Sequence, residues 1–105
     1  MKKVERDGKV AVLYSPRFGA GWSTWANEEH REALCMDADI VQPFLDGDKP
    51  RALAVALEKF PDTYTGGFDD LQIEWIDKGE QFEIEEYDGS ESVHVIGRRK
   101  YFSTT

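Results

Sequence analysis

The sequence predicts an α+β fold: an antiparallel β-meander of three C-terminal strands joined by an N-terminal strand, with two or three short helices on one face. Three observations predict it. An apolar strand-like run near the N-terminus gives way to helix-spaced segments, and from residue 71 the hydrophobic period changes to two. An Asp88-Gly89 pair between alternating segments marks a hairpin. The 105 residues carry no internal repeat or low-complexity linker, so they read as one domain, 1–105.

The elements follow in order. Lys9–Tyr14 (KVAVLY) is rich in Val and Leu and reads as a strand buried on both faces. Ser15-Pro16 ends it, because proline has no N–H for a strand ladder. Residues 17–25, with Gly19 and Gly21, read as an ordered loop. A turn or two of helix is expected over 27–34, with Asn27 as its cap and Glu28 and Glu29 suiting its first turn. Residues 37–45 read as a second helix, capped by Asp39, with Pro43 one turn in and Ile40, Phe44 and either Val41 or Leu45 on one face. Gly47 stops it and Asp48 caps a third helix over 50–60. There Leu53, Leu57 and Phe60 share a face, alanines 52, 54 and 56 supply helix propensity, and Pro61 ends the helix.

In the last third, Leu71, Ile73 and Trp75 alternate with Gln72, Glu74 and Ile76, and Asp77-Lys78-Gly79 supplies a turn. A type I′ turn at Asp88-Gly89 then sets a register. Tyr87 faces Ser90, Ile84 faces Val93 and Phe82 faces Val95, while Glu85 faces Ser92 and Glu83 faces His94. One face is apolar and the other polar, as a half-buried antiparallel sheet requires. Arg98-Arg99-Lys100 closes the sheet with three bases that either pair with acidic residues or bind an anion.

Charge narrows the function. Against 13 Lys and Arg stand 21 Asp and Glu, a net −8, and residues 68–91, with ten acids and one base, hold the whole excess. Duplex nucleic acid is therefore excluded as a partner of that face, since phosphate binding needs clustered bases. No apolar run reaches the ~18 residues of a membrane span. No apolar stretch follows the N-terminal charges, so no signal peptide is expected. The single cysteine, Cys35, fits a reducing cytoplasm, which is the expected location.

Two loops and one face are candidate sites. Residues 14–25 bring together Tyr14, Ser15, Arg17, Phe18, Gly19, Gly21, Trp22, Ser23, Thr24 and Trp25 directly after a strand. Glycines let backbone N–H groups approach an anion, hydroxyls and Arg17 bind phosphate, and an indole stacks on a base. Tyr64, Thr65 and Gly66 repeat this chemistry on a smaller scale, and the two loops are placed to meet over one pocket. The bland alternative is core tryptophans and tight-turn glycines. On the sheet, Glu74, Glu83 and Glu85 are expected on one side, with Glu86, Asp88 and Glu91 near the hairpin tip. That field suits a basic surface, or is simply a solvated face. No catalytic set, metal ligand spacing or cofactor motif appears. His30, Cys35 and His94 are scattered, and His94 is accounted for by Glu83 across the strand pair.

Two stretches also carry a resemblance. Val12-Leu13-Tyr14-Ser15-Pro16 with Phe18-Gly19-Ala20-Gly21-Trp22-Ser23-Thr24-Trp25, and Tyr64-Thr65-Gly66-Gly67 with Leu71-Gln72-Ile73-Glu74-Trp75 and residues 82–92, resemble a family of small uncharacterised phage and prophage proteins. The resemblance spans most of the chain between Lys9 and Val95. It brings no catalytic residue or cofactor, but it implies an accessory protein of the infected bacterial cytoplasm that inhibits a host factor or sequesters a host signal, an anti-defence role. The leading expectation is accordingly a non-catalytic protein binding a small anionic, nucleotide-like molecule. Trp22 or Trp25 would stack, Arg17 would meet the anion, and Ser23, Thr24 and backbone N–H groups would orient it. A homodimer is one way for so small a domain to enclose such a ligand. The alternative is an acidic inhibitor docking a basic host protein surface through the 68–91 sheet face.

Overall fold

Ala11, Val12 and Leu13 are all fully removed from solvent, so the first long strand needs a cover on each side, and the fold supplies two different ones. The computed structural model describes residues 1–96; Arg98-Arg99-Lys100 lies outside the described residues. The elements are β1 (Glu5–Arg6), β2 (Lys9–Tyr14), α1 (Glu28–Met36), α2 (Ala38–Leu45), α3 (Lys49–Lys59), β3 (Gln72–Asp77), β4 (Phe82–Tyr87) and β5 (Ser90–Val95). Short 3-10 turns occupy Ser23–Trp25 and Phe68–Asp70. The class is α+β with antiparallel strands throughout, as expected.

β2 is the middle strand of β1-β2-β3, and pairs with β3 along its whole length, from Lys9 opposite Asp77 to Tyr14 opposite Gln72. On one face Ala11 and Leu13 pack with Leu34, Ile40, Val41, Ala52, Ala56, Trp22 and Phe68, a core made with the helices. On the other, Val12 and Ile76 join Cys35 and Met36, with Phe82, Ile84 and Val93 of the hairpin packed against them. α1 serves both layers, through Leu34 on one side and Cys35 and Met36 on the other.

The single meander is therefore corrected. β4 and β5 form a separate two-stranded sheet, and β3 pairs with β2 rather than β4. The physical reason is the second face of β2: laying the hairpin over it buries Val12 and Ile76, whereas extending the sheet edge would leave both in water. Within the hairpin the five expected pairs are all present, and Glu86 pairs with Glu91 beyond them. Asp88 and Gly89 take φ of 50° and 86°, both positive as a type I′ turn demands. β1 was not anticipated. It is made by the same device, Asp7-Gly8 at φ 51° and 77°, which returns Arg6 opposite Lys9.

The helices differ from expectation in their details. Asn27 stands at the N-cap position of α1 without a side-chain hydrogen bond. Asp37, not Asp39, caps α2 by accepting from the Asp39 N–H at 2.9 Å. Asp37 also pairs with Lys59 at 2.8 Å, and Asp39 pairs with the same ammonium at 2.7 Å, tying the end of α3 to the start of α2. Asp48 caps α3 as expected. The inward face of α3 is Ala52 and Ala56, flanked by Leu53 and Phe60, and Leu57 points to solvent. Small residues at i, i+4 let α3 approach the core closely, which a leucine ridge would prevent.

Candidate functional site

The 14–25 loop is folded around an anion, and the anion belongs to the chain. Glu91, on the inward side of β5, is 1% exposed. One carboxylate oxygen accepts from the Ser15 N–H at 2.9 Å. The other accepts from the Trp22 N–H at 2.8 Å, the Thr24 N–H at 3.0 Å and the Thr24 hydroxyl at 2.6 Å. Four uncharged donors converging on two oxygens match the acceptor capacity of a carboxylate. They also offset the cost of burying it.

The hairpin tip reinforces this arrangement. The Glu91 N–H donates to the Ser15 carbonyl at 2.7 Å, the Ser90 hydroxyl donates to the Pro16 carbonyl at 2.8 Å, and the Gly19 N–H donates to the Asp88 carbonyl. Gly67 closes the other side. A Cβ there would strike the Ala20 carbonyl oxygen and come within 2.7 Å of the Ser15 hydroxyl, so only glycine fits. The two loops do meet, as expected, but by packing on each other.

This geometry redistributes the expected ligand residues. Trp22 is fully buried, packs tilted against Phe68 and donates its indole N–H to the Leu34 carbonyl at 2.8 Å, so it is a core residue. Ser15 and Ser23 are buried too, and Thr24 is spent on Glu91. Tyr14 reaches Gln72 at 3.2 Å. Arg17 is exposed but already paired with Asp70 at 2.9 Å. Gly21 leaves room for the Trp25 ring, and Gly66 for the Tyr64 ring. Trp25 and Tyr64, both 40% exposed, lie 4.8 Å apart, with Thr65 starting the turn into Phe68. Backbone N–H groups that a ligand anion would need are thus occupied by Glu91.

The acidic residues also divide. Glu91 is not on the surface, which corrects its place beside Glu86 and Asp88. The signal was available: Glu91 has the parity of Val93, which packs against Val12, Cys35, Met36 and Ile76. Because β3 and β4 belong to different sheets, Glu74 does not share a face with Glu83 and Glu85; it lies opposite Val12, on the hairpin side of the first sheet. Glu83, Glu85 and Tyr87 remain exposed on the outer face of β4. Glu86 folds back to accept from the Gly89 N–H at 2.7 Å. His94 meets Ser92 at 2.9 Å and Glu85 at 3.6 Å, so its carboxylate neighbour is diagonal rather than the directly opposite Glu83. Beside Tyr87 stands Phe18, edge to face at 6.3 Å; the two are 73% and 67% exposed.

Among the described residues no group of three or more His, Cys, Asp or Glu is arranged to hold a metal ion. His30 packs its ring on Phe60 at 4.5 Å. Burial pushes the Cys35 thiol up to about 12, leaving it protonated and unreactive at neutral pH. Alkylation by iodoacetamide at neutral pH is accordingly expected to be slow in the folded protein and fast in denaturant. Equal rates in the two conditions would mean that Cys35 is open to solvent. No helix of the described residues is long and apolar enough to cross a membrane. Searches of protein-family models, curated proteins and solved structures find nothing that matches this chain.

Proposed function

We propose that the chain is a non-catalytic binding protein that docks a basic protein surface through the outer face of the β4–β5 hairpin. The observation that carries this reading is the Phe18–Tyr87 pair: two large aromatic rings, each at least two-thirds exposed, held together at the hairpin tip. Exposed aromatics bordered by charge are the usual anchors of protein interfaces. Here the border is Glu83, Glu85 and Asp88, which favours a partner rich in Lys and Arg and steers its approach. In the setting that the phage resemblance implies, the partner is a host protein and the outcome is its inhibition. Small-ligand binding ranks below this, because of the two indoles expected to stack Trp22 is buried and Trp25 alone is accessible.

A titration of the isotope-labelled protein with a peptide of alternating Arg and Leu tests the reading. Amide shifts are expected at Phe18, Glu83, Glu85 and Tyr87, with affinity falling steeply between about 0.05 and 0.5 M salt as exposed charges are screened. Tyr87→Ala and the Glu83→Lys/Glu85→Lys pair should each weaken binding at least tenfold without lowering the melting temperature. Binding that survives both sets of changes would place the partner on another surface.

A further inference from the structure

The two-residue turn makes Tyr87 and Ser90 a hydrogen-bonded pair, and in an antiparallel ladder such pairs recur at every second residue. Tyr87, Glu85 and Glu83 therefore turn their N–H and C=O groups toward β5. The Ile96 N–H, donating to the Gln81 carbonyl at 2.7 Å, continues that phase. The N–H and C=O groups of Phe82, Ile84 and Glu86 face the other way, out of the two-stranded sheet. Among the described residues none of these groups has a hydrogen-bond partner. The outer edge of β5 is anchored instead, since the Glu91 N–H donates to the Ser15 carbonyl at 2.7 Å. It is β4 whose edge is left open along its whole length.

A groove of about 530 Å³ between α1 and β4 borders that edge. Phe82 and Ile84 line it from the inner side of β4 and Glu83 from the outer, with Cys35 and Met36 of α1 across from them. The volume falls within the ~300–1,000 Å³ of sites that hold a ligand. A strand added to an open edge sends its side chains alternately to the two faces of the sheet. One set would meet the apolar floor of Cys35, Met36, Phe82 and Ile84. The other would stand beside Glu83 and Glu85 on the exposed face.

We propose that the basic partner binds as a third strand on the edge of β4, through an extended segment in which Lys or Arg alternates with large apolar residues. This rests on the outer-face docking proposed above and names the form in which that partner binds. A second copy of this chain is the poorer occupant. Two β4 strands set edge to edge would bring the Glu83 and Glu85 carboxylates of one against those of the other. A basic segment reverses the sign of that interaction. Main-chain bonds to Phe82 and Ile84 supply affinity, and the alternating side chains supply selectivity.

Amide exchange in the full-length protein tests this. The alternating Arg and Leu peptide should slow exchange at Phe82 and Ile84 at least tenfold, while Glu83 and Glu85, already bonded to β5, change little. N-methylation of the peptide is an independent check. On an added strand only every second N–H points at β4, the Leu set in an antiparallel arrangement and the Arg set in a parallel one. Methylating one set is expected to weaken binding at least tenfold, and methylating the other less than twofold. Equal effects of the two sets, or unchanged exchange at Phe82 and Ile84 with peptide bound, overturn edge pairing and leave the outer-face reading standing. A peptide that does not bind overturns both. Slow exchange at these two amides before peptide is added also overturns the proposal, because the edge is then already covered. The cover is a second copy if the slowing grows with protein concentration, and lies within the chain if it does not.

Discussion

Replacing Glu91 by alanine is expected to cost ~3–5 kcal/mol of folding stability, out of the ~5–15 kcal/mol typical of a domain. The reason is the number of donors released. Three backbone N–H groups, at Ser15, Trp22 and Thr24, and the Thr24 hydroxyl all point at this carboxylate inside the protein. A buried donor left without an acceptor costs ~1–3 kcal/mol, and water admitted to the cavity recovers only part of the sum. Glu91→Gln separates shape from acceptor count. Its amide keeps the size but turns an NH₂ toward at least one N–H, so a loss of ~2–3 kcal/mol is expected. Glu85→Gln, on the exposed outer face of the same hairpin, should stay within ~0.5 kcal/mol of the parent. Urea denaturation of the three variants gives the comparison. Losses under ~1 kcal/mol for both Glu91 variants would mean that the loop holds its shape without the carboxylate.

Glu91 also shows where sequence reasoning reached and where it stopped. Residues 14–25 look like an anion-binding loop because Gly, Ser, Thr and free backbone N–H groups are what an anion needs, and the loop does bind one. Its partner is 69 residues away from Trp22, and only the tertiary fold brings the two together. Local patterns carried the hairpin completely: Asp88-Gly89 fixes the turn, the turn fixes the register, and the register matches every expected pair. The same signal at Asp7-Gly8 was equally legible and defines β1. Sheet order was not legible, because a strand of period two shows which face is apolar but not whether a neighbour pairs with its edge or lies on its face. Ala11-Val12-Leu13 held the clue, since a strand buried on both sides leaves a second face that some other element must cover.

Gly89→Ala is expected to cost ~3–4 kcal/mol, against ~1–2 kcal/mol for Gly79→Ala, although both glycines hold a positive φ, 86° and 92°. Backbone strain is therefore similar at the two turns, and what separates them is space. A Cβ at Gly79 meets nothing within 4 Å. At Gly89 it meets the Ala20 nitrogen and comes within 2.9 Å of the Gly19 backbone, which is part of the loop around Glu91 and has no flexible side-chain end to give way. The substituted tip must retreat, breaking the Gly19 to Asp88 hydrogen bond and loosening the hold of Glu91 on Ser15. Faster amide exchange at Gly19 in Gly89→Ala, with no change there in Gly79→Ala, would report that retreat directly. Equal costs for the two substitutions would show that the tip does not press on the loop. Because Gly89 and Glu91 act on the same loop, their effects should not add. Once the carboxylate is gone the loop is already free to move, so the Gly89→Ala/Glu91→Ala pair should cost less than the sum of the singles by ~1 kcal/mol or more.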